Sequence, residues 1–347
     1  MIPDQLRCDI FCTVIDNYGD AGVCWRLARQ LAIEHGWRVR LWIDDPAPLL
    51  NLAPDHADGP VEVKLWPNPW RSIDPADVVI EAFACEIPGA YADAMAARTR
   101  PPAWINLEYL SAEAWVTGCH GLPSPHPNLP LVKHFFFPGF GAGSGGLLRE
   151  RDYDLRRAAF DEPDFRAEFD LPPREPGELL VSLFAYPHNR LPELMPALTA
   201  SPRPIRLLLA GSSGAASRDG ALSIHHLPFL PQTRYDEILW ACDLNFVRGE
   251  DSFVRAQWAA KPFVWHIYPQ DGEAHMIKLD AFLARHPAAH ALRSFWHAWN
   301  GNGDLDWPTF AAGLPFLDEP SRQWSQQLRE PPDLAAALVH FCLERLK

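Results

Sequence analysis

Two aspartates near the amino terminus are the first candidates for chemistry. Asp16 and Asp20 lie in DNYGDAG, which directly follows the apolar run DIFCTVI of residues 9–15. Two carboxylates held close together need a cation or a proton between them, because they otherwise repel each other. Such a pair can bind a cationic group, orient it and accept a proton from it. The alternative is that one aspartate only caps a following helix, since Asp is a preferred N-cap residue.

A second acidic cluster, RGEDSFVRAQ at residues 248–257, also stands between an apolar run and a helical pattern. Backbone N–H groups at the start of a helix bind anions, so this turn is expected to hold a diphosphate. Glu250 and Asp251, with Ser252 beside them, would then accept hydrogen bonds from ribose or sugar hydroxyls. A capped helix with a solvated acidic first turn is the alternative.

Aromatic and amide side chains follow two other apolar runs. Phe184 and Tyr186 come after LLVSL, and Gln232 comes after PFLP. Aromatic rings at strand ends can stack on a nucleobase, and a Gln side chain has the donor and the acceptor needed to read a base edge. These residues are predicted to bind a nucleotide base, unless the rings are ordinary core aromatics.

The overall charge favours a cationic acceptor over nucleic acid. The 347 residues include 31 Lys+Arg and 44 Asp+Glu, and the resulting net charge of −13 repels phosphate backbones. Seven scattered cysteines without a CxxC pair predict buried thiols, neither a disulfide framework nor a metal site. Early charged residues argue against a signal peptide, and no run approaches the ~18 apolar residues of a membrane span. We therefore expect a cytoplasmic protein with no nucleic-acid or membrane partner.

Strands that alternate with helices must position these candidates. The first series has a helical pattern at residues 22–35 and strand-like runs at residues 9–15, 37–43, 61–65, 77–80 and 103–106. After a charged, proline-rich stretch, a second series of strand-like runs follows at residues 179–184, 205–210, 223–227, 244–247 and 262–266. Such alternation predicts parallel, doubly wound sheets, which bind ligands at the carboxyl ends of their strands.

The predicted organisation is α/β, with two facing Rossmann-like domains and a ligand cleft between them. Residues 1–152 form the first domain, residues 153–177 a linker and residues 178–329 the second domain. The amphipathic segment at residues 330–347 is expected to pack back onto the first domain.

Four segments of the chain resemble one known family. They are IDNYGDAGVCWRLARQL from residue 15, INLEYLSAE at 105–113, SGGLLRERDY at 144–153 and RGEDSFVRAQWAAKPFVWHIYPQ at 248–270. Together they are similar to EarP, the bacterial arginine rhamnosyltransferases that modify translation elongation factor P. The resemblance extends from residue 9 to about residue 283, with the motifs in the same order.

The resemblance implies a GT-B glycosyltransferase that uses no cofactor and no metal. Its donor would be dTDP-β-L-rhamnose, and its acceptor a guanidino nitrogen of one arginine on elongation factor P, with inversion at the anomeric carbon. The first domain would carry the base and meet the acceptor, and the second would bind the nucleotide sugar. Another metal-independent GT-B transferase with a small-molecule acceptor, and a non-catalytic nucleotide-sugar-binding module, are the alternatives.

The same resemblance assigns roles to individual residues. The catalytic positions are Asp16 and Asp20, with Asp20 as the base. The donor-binding positions are Phe184, Tyr186, Gln232, Glu250, Asp251 and Ser252, to which we add the loop residues Asn17, Tyr18 and Gly19. The segment LFAYPHNR around Tyr186 departs most from the family pattern.

Overall fold

The computed structural model describes residues 5–16, 18–67, 70, 73–187 and 189–347. They form two compact units, one made of Met1–Arg151 with Leu328–Lys347 and the other of Asp152–Gln327. Within this described part of the chain, no helix combines the length and the apolar character needed to cross a membrane.

The first unit alternates strands with helices. Its elements are β1 (Arg7–Cys12), α1 (Tyr18–His35), β2 (Arg38–Ile43), α2 (Ala47–Leu52), β3 (Val61–Leu65), β4 (Val78–Ala82), α3 (Gly89–Ala96), β5 (Ala103–Leu107), α4 (Val116–Cys119), β6 (Pro123–Pro125) and β7 (Val132–Phe136). A short 3₁₀ helix at His56–Asp58 precedes β3. The strands predicted from the sequence are thus confirmed, with shifts of a few residues at their ends.

The seven strands of this unit form one sheet in the order β3-β2-β1-β4-β5-β7-β6. All neighbours pair in parallel except β6 and β7. Strands β4 and β5 are buried along their whole length, as expected for parallel strands covered on both faces. The carboxyl ends of β1, β4 and β5 therefore meet at one edge of the sheet.

A buried charge in the middle of this sheet is fully paired. Asp9 of β1 accepts two hydrogen bonds of 2.6 Å from the guanidinium of Arg40. The hydroxyl of Tyr91 also donates to this carboxylate, and the Ala76 amide donates to it at 3.2 Å. A buried charge is tolerated when it is paired and hydrogen-bonded in this way, so Asp9 has a structural role.

The C-terminal helix α14 (Leu334–Arg345) belongs to the first unit. It packs against α1, and the amide of Leu334 donates to the carbonyl of Leu147 at 3.0 Å. The side chain of Gln30 donates to Asp333, the N-cap residue of α14, at 2.9 Å. The chain thus returns to its first unit after it has completed the second.

The second unit begins with two helices and continues as a second α/β series. Its elements are α5 (Tyr153–Ala159), α6 (Glu162–Glu168), β8 (Leu179–Leu183), α7 (Leu191–Thr199), β9 (Ile205–Ala210), β10 (Ser217–Asp219), β11 (Leu222–Leu227), α8 (Tyr235–Ala241), β12 (Leu244–Arg248), α9 (Asp251–Ala259), β13 (Phe263–His266), α10 (Ala274–Leu283), α11 (Ala289–Trp299), α12 (Trp307–Gly313) and α13 (Asp318–Gln327). The six strands form a sheet in the order β10-β11-β9-β8-β12-β13, in which only β10 is antiparallel to its neighbour.

The structure differs from the sequence analysis at the segment predicted to be a linker. Residues 153–177 contain α5 and α6 and are part of the second unit. Phe165 and Leu171 are buried in a core cluster with residues of β8, β9 and β11, and Tyr153 accepts a hydrogen bond of 2.8 Å from the indole of Trp240. The many charges and prolines of residues 153–177 indicated a linker between domains. However, apolar side chains among them, such as Phe165 and Leu171, are buried in the core of the second unit and fix the segment to it.

The free cysteines agree with the sequence analysis. All seven are unpaired, and all are buried except Cys119, which is partly exposed. Burial raises the pKa of Cys85 and of Cys342 to about 12, so these thiols stay protonated and unreactive at neutral pH.

Candidate functional site

The aspartate pair, Asp16 and Asp20, lies where β1 gives way to α1. The helix begins at Tyr18, four residues earlier than the sequence pattern predicted, so Asp20 is in its first turn. Asp20 is 2% exposed, and its Oδ2 accepts the amide N–H groups of Ile15 and Asp16 at 2.8 Å each. This reach back from the first turn resembles a capping box and closes the loop. Asp20 therefore has a structural role at the start of the helix, which agrees in part with the alternative that it caps α1.

Asp16 is held close above the start of the helix. Its carbonyl accepts the amide N–H of Gly19 at 2.5 Å, and its side chain is partly exposed. A Cβ atom at Gly19 would lie 2.5 Å from Oδ2 of Asp16, closer than real contacts allow. Glycine at this position therefore lets the Asp16 carboxylate approach the backbone of the turn.

The remaining loop residues have separate outcomes. Asn17 lies outside the described residues. The hydroxyl of Tyr18 accepts a hydrogen bond of 3.0 Å from Asn51 of α2, so the first unit itself supplies a partner for it. The close approach of the Asp16 carboxylate explains why a glycine is needed at position 19. Contact of Asn17, Tyr18 and Gly19 with the donor stays a prediction.

Tyr109, which follows β5, completes this edge and was not singled out from the sequence. Its hydroxyl donates to Oδ1 of Asp20 at 3.3 Å. Its ring stacks on Phe83, with centroids 4.3 Å apart and an interplanar angle of 15°. Its place directly after a buried strand, within the family motif INLEYLSAE, was the available signal.

A further carboxylate on this sheet, Glu81 of β4, has a different environment. It is buried and forms an ion pair with Lys133 at 2.6 Å, and the amide of Ile87 donates to it at 3.1 Å. Burial raises the pKa of Glu81, and the ammonium of Lys133 opposes that rise. With its own cation beside it, Glu81 is a structural carboxylate.

In the second unit, Arg248 at the end of β12 organises the predicted donor residues. Its guanidinium lies over the ring of Phe184 at 4.4 Å and over the ring of Tyr186 at 4.9 Å from their centroids. It also donates to the carbonyl of Ala185, between the two rings, at 3.3 Å. Arginine stacks on aromatic faces in this way because its planar cation interacts with both rings. Arg248 opens the motif RGEDSFVRAQ, but its sequence context alone predicted no role for it.

The two aromatic residues differ in exposure. Phe184 is partly exposed and contacts Phe229 and Tyr235 edge-on or tilted, at centroid distances of 6.3 and 5.6 Å. Tyr186 is buried, its ring packs against His266 at 5.2 Å, and its amide donates to Nδ1 of His266 at 3.2 Å. Phe184 is therefore the more accessible of the two rings, and donor contact by Tyr186 stays a prediction.

The turn between β12 and α9 is held by its own side chains. The Arg248 amide donates to Oγ of Ser252 at 3.1 Å, and the Ser252 hydroxyl donates back to the Arg248 carbonyl. Gly249 adopts a left-handed conformation with φ of 60°, and its carbonyl accepts the indole N–H of Trp265 at 2.7 Å. Ser252, predicted to bind donor, thus closes the turn through these two bonds.

Gln232 and the acidic residues of this turn meet at the same edge of the second sheet. Gln232 is 3% exposed, and its Nε2 donates to Oδ2 of Asp251 at 2.9 Å. Glu250 occupies the N-cap position of α9, but its side chain makes no capping hydrogen bond. The structure therefore brings together predicted donor residues that are far apart in the sequence, with Glu250 partly exposed among them.

No group of three or more His, Cys, Asp or Glu side chains that could hold a metal ion occurs among the residues described.

Comparison with known proteins gives one consistent family. Residues 8–343 match the family described as Elongation-Factor P (EF-P) rhamnosyltransferase EarP. A protein-arginine rhamnosyltransferase of Pseudomonas putida is 48% identical, over 96% of this chain and 97% of that protein. A solved structure from a study of EarP-mediated arginine glycosylation of translation elongation factor EF-P has a TM-score of 0.69 and 34% identity, covering 98% of this chain and 99% of that one.

More distant structures share the fold. CalG4, the calicheamicin glycosyltransferase, has a TM-score of 0.53 at 13% identity, over 99% of this chain and 98% of that chain. Two α/β units built on largely parallel sheets, together with these likenesses, establish the GT-B glycosyltransferase fold.

Proposed function

The chain belongs to the EarP family of elongation factor P rhamnosyltransferases, which makes it a glycosyltransferase, and from this premise we propose its full reaction. The enzyme transfers L-rhamnose from dTDP-β-L-rhamnose to a guanidino nitrogen of an arginine on elongation factor P, with inversion at the anomeric carbon. The observation that carries the proposal is the aspartate pair at the edge of the first sheet, where Asp20 is buried and Asp16 partly exposed.

The acceptor chemistry requires carboxylates of this kind. A guanidinium is a poor nucleophile because its lone pairs are delocalised and it is protonated at neutral pH. Asp16 binds and orients the cation, and Asp20 accepts its proton as the bond from nitrogen to the anomeric carbon forms. The bond from that carbon to the diphosphate oxygen breaks at the same time, and dTDP leaves with the electron pair.

The donor is assigned to the second unit. Phe184 offers a ring for the thymine, and Gln232, fixed by Asp251, presents its amide to the base or the ribose. The backbone amides at the start of α9 and the guanidinium of Arg248 balance the charge of the diphosphate as it departs. This distribution of charge needs no metal ion or other cofactor, and nucleic acid and membrane have no part in the reaction.

Incubation of the protein with dTDP-β-L-rhamnose and elongation factor P tests the proposal. We expect one deoxyhexose mass increment on a single arginine peptide and an α-linked product by NMR. Modification of a small molecule in place of the protein would favour a GT-B transferase with a small-molecule acceptor. Donor binding without any transfer would favour a non-catalytic module.

Asp20→Asn is expected to abolish transfer, because removal of a general base costs roughly 10²–10⁴-fold in rate. Donor affinity measured by calorimetry should remain within about twofold of wild type, since Asn preserves an oxygen for the two loop amides. Loss of donor affinity in step with activity would contradict the role and make Asp20 a donor-site residue.

A further inference from the structure

We propose that Tyr109 is a positioning residue that acts through Asp20, and that Phe83 holds Tyr109 in place for this purpose. The inference rests on the proposed role of Asp20 as base and assigns a function to a pair of aromatic residues outside the aspartate loop.

The two oxygens of Asp20 have different partners. Oδ2 accepts both loop amides at 2.8 Å, which fixes that oxygen to the backbone. Oδ1 has the hydroxyl of Tyr109 at 3.3 Å. A proton from the acceptor must therefore arrive at the oxygen that Tyr109 contacts, because the other is occupied by two donors. We expect this hydrogen bond to shorten when substrate is bound.

The position of Tyr109 depends on an unusual backbone at the end of β4. Phe83, against which the Tyr109 ring stacks, has φ of 58°, and the following Ala84 has φ of 56°. The left-handed conformation is unfavourable for a non-glycine residue, so two in succession need support from their surroundings.

That support comes from the neighbouring strands. The amide of Phe83 donates to the carbonyl of Leu107 at the end of β5, at 2.7 Å, and the thiol of Cys85 donates to the carbonyl of Phe11 in β1, at 3.1 Å. The turn after β4 is thus tied to the strands that lead to Tyr109 and to Asp20. Strain held in this way at a candidate catalytic edge positions the Phe83 ring under Tyr109.

The chemical consequence concerns orientation. The Tyr109 hydroxyl donates to Oδ1 while Asp20 is a carboxylate, and so selects one rotamer of that carboxylate. When Oδ1 takes the proton of the guanidinium, the hydroxyl oxygen can accept from it, so the contact persists through the step. Without the hydroxyl, the carboxylate would lose orientation at the moment of proton transfer.

Tyr109→Phe tests the inference, because it keeps the ring on Phe83 and removes only the hydroxyl. We expect kcat to fall about tenfold or more, the size typical for a hydrogen bond to a charged group. The KM for elongation factor P, the affinity for dTDP-rhamnose and the Tm should stay close to wild type.

Tyr91→Phe is the matched control, since it removes a tyrosine hydroxyl from the structural carboxylate Asp9 of the same sheet. We expect it to lower Tm and leave kcat unchanged. The inference would be overturned if Tyr109→Phe kept the wild-type kcat. It would also be overturned if a smaller folded fraction and a lower Tm accounted for the whole loss of kcat.

A double variant separates this inference from the proposed function. In the Asp20→Asn background, Tyr109→Phe should cause no additional loss of residual activity, because Tyr109 acts only through Asp20. A further loss of similar size there would show an independent role and refute the proposal. Wild-type enzyme that transfers no rhamnose would instead refute the proposed function itself.

Discussion

Several polar residues of the candidate site make structural hydrogen bonds in addition to the chemical roles that we propose for them. Asp20 closes the loop before α1, Ser252 closes the turn before α9, and Asp251 pairs with the buried amide of Gln232. Loss of activity after an alanine substitution is therefore ambiguous, because it can follow from a loosened turn. Substitutions that preserve the structural hydrogen bond and change only charge distinguish the two roles.

Asp251 allows this distinction directly. Asp251→Asn keeps an oxygen for Gln232, so we expect Tm to remain within a degree or two and donor affinity to fall about tenfold, as for loss of a charged hydrogen-bond partner. Asp251→Ala leaves the buried amide without this acceptor and should lower both Tm and donor affinity. The measurements are thermal melts and calorimetry with dTDP-rhamnose. If Asp251→Ala melts lower yet binds donor as tightly as wild type, the residue is purely structural.

At the scale of elements, function depends on where strands end. In the first sheet, turns after β1, β4 and β5 bring Asp20, Phe83 and Tyr109 together. In the second, the end of β12 places Arg248 against the loop that follows β8. Parallel strands make such convergence general, because all their carboxyl ends lie at the same edge.

The junction between α10 and α11 provides a prediction about stability. His286 is buried against Phe263 of β13, Phe282 of α10 and Trp324 of α13. Burial alone lowers the pKa of His286 from 6.5 to about 4. The unfolded chain therefore binds a proton between pH 6.5 and 4 that the folded chain does not, and stability falls as the pH falls through this window.

His286→Asn should remove this acid sensitivity, since Asn does not ionise there and its oxygen can replace Nδ1 as the acceptor for the Ala288 amide. Wild type should lose up to about 3 kcal/mol of unfolding free energy more than the variant between pH 7 and pH 4. Urea unfolding at several pH values measures the difference. Parallel stability curves for the two proteins would contradict the assignment.

At the scale of the whole molecule, the enzyme has two α/β units, to which we assign different tasks. The first contains the aspartate pair, and the second contains the residues assigned to the donor. No cluster of metal-binding side chains is found in the portion of the chain that the structure covers. Our proposal assigns stabilisation of the donor's charge to backbone amides and Arg248, which leads to a prediction for the intact enzyme.

Rhamnose transfer is expected to survive excess EDTA at full rate, because the residues proposed to balance the diphosphate include no metal ligand set. Initial rates with and without chelator, each with added Mg²⁺ as a control, measure this. Activity that disappears in EDTA and returns with Mg²⁺ would contradict the proposal.

The sequence by itself determined the alternation of strands and helices, most strand positions and the motifs that carry the family likeness. These features are local: apolar periodicity reports which neighbouring residues share a face, and a motif is a run of consecutive residues. Val61–Leu65 and Ile205–Ala210 fall where the pattern predicted them. The start of α1 was predicted too late, because Gly19 and two aspartates suggested a turn where the helix had already begun.

Only the tertiary structure decided which distant residues meet. The hydroxyl of Tyr109 contacts Asp20, and Arg248 contacts the aromatic residues after β8. These residues are far apart in the sequence, and the order of the strands in each sheet brings them together. It also assigned residues 153–177, which the sequence predicted to be a linker, to the second unit. The physical reason is that strand order and helix packing are set by the burial of whole faces, a property of the folded chain that no short segment encodes.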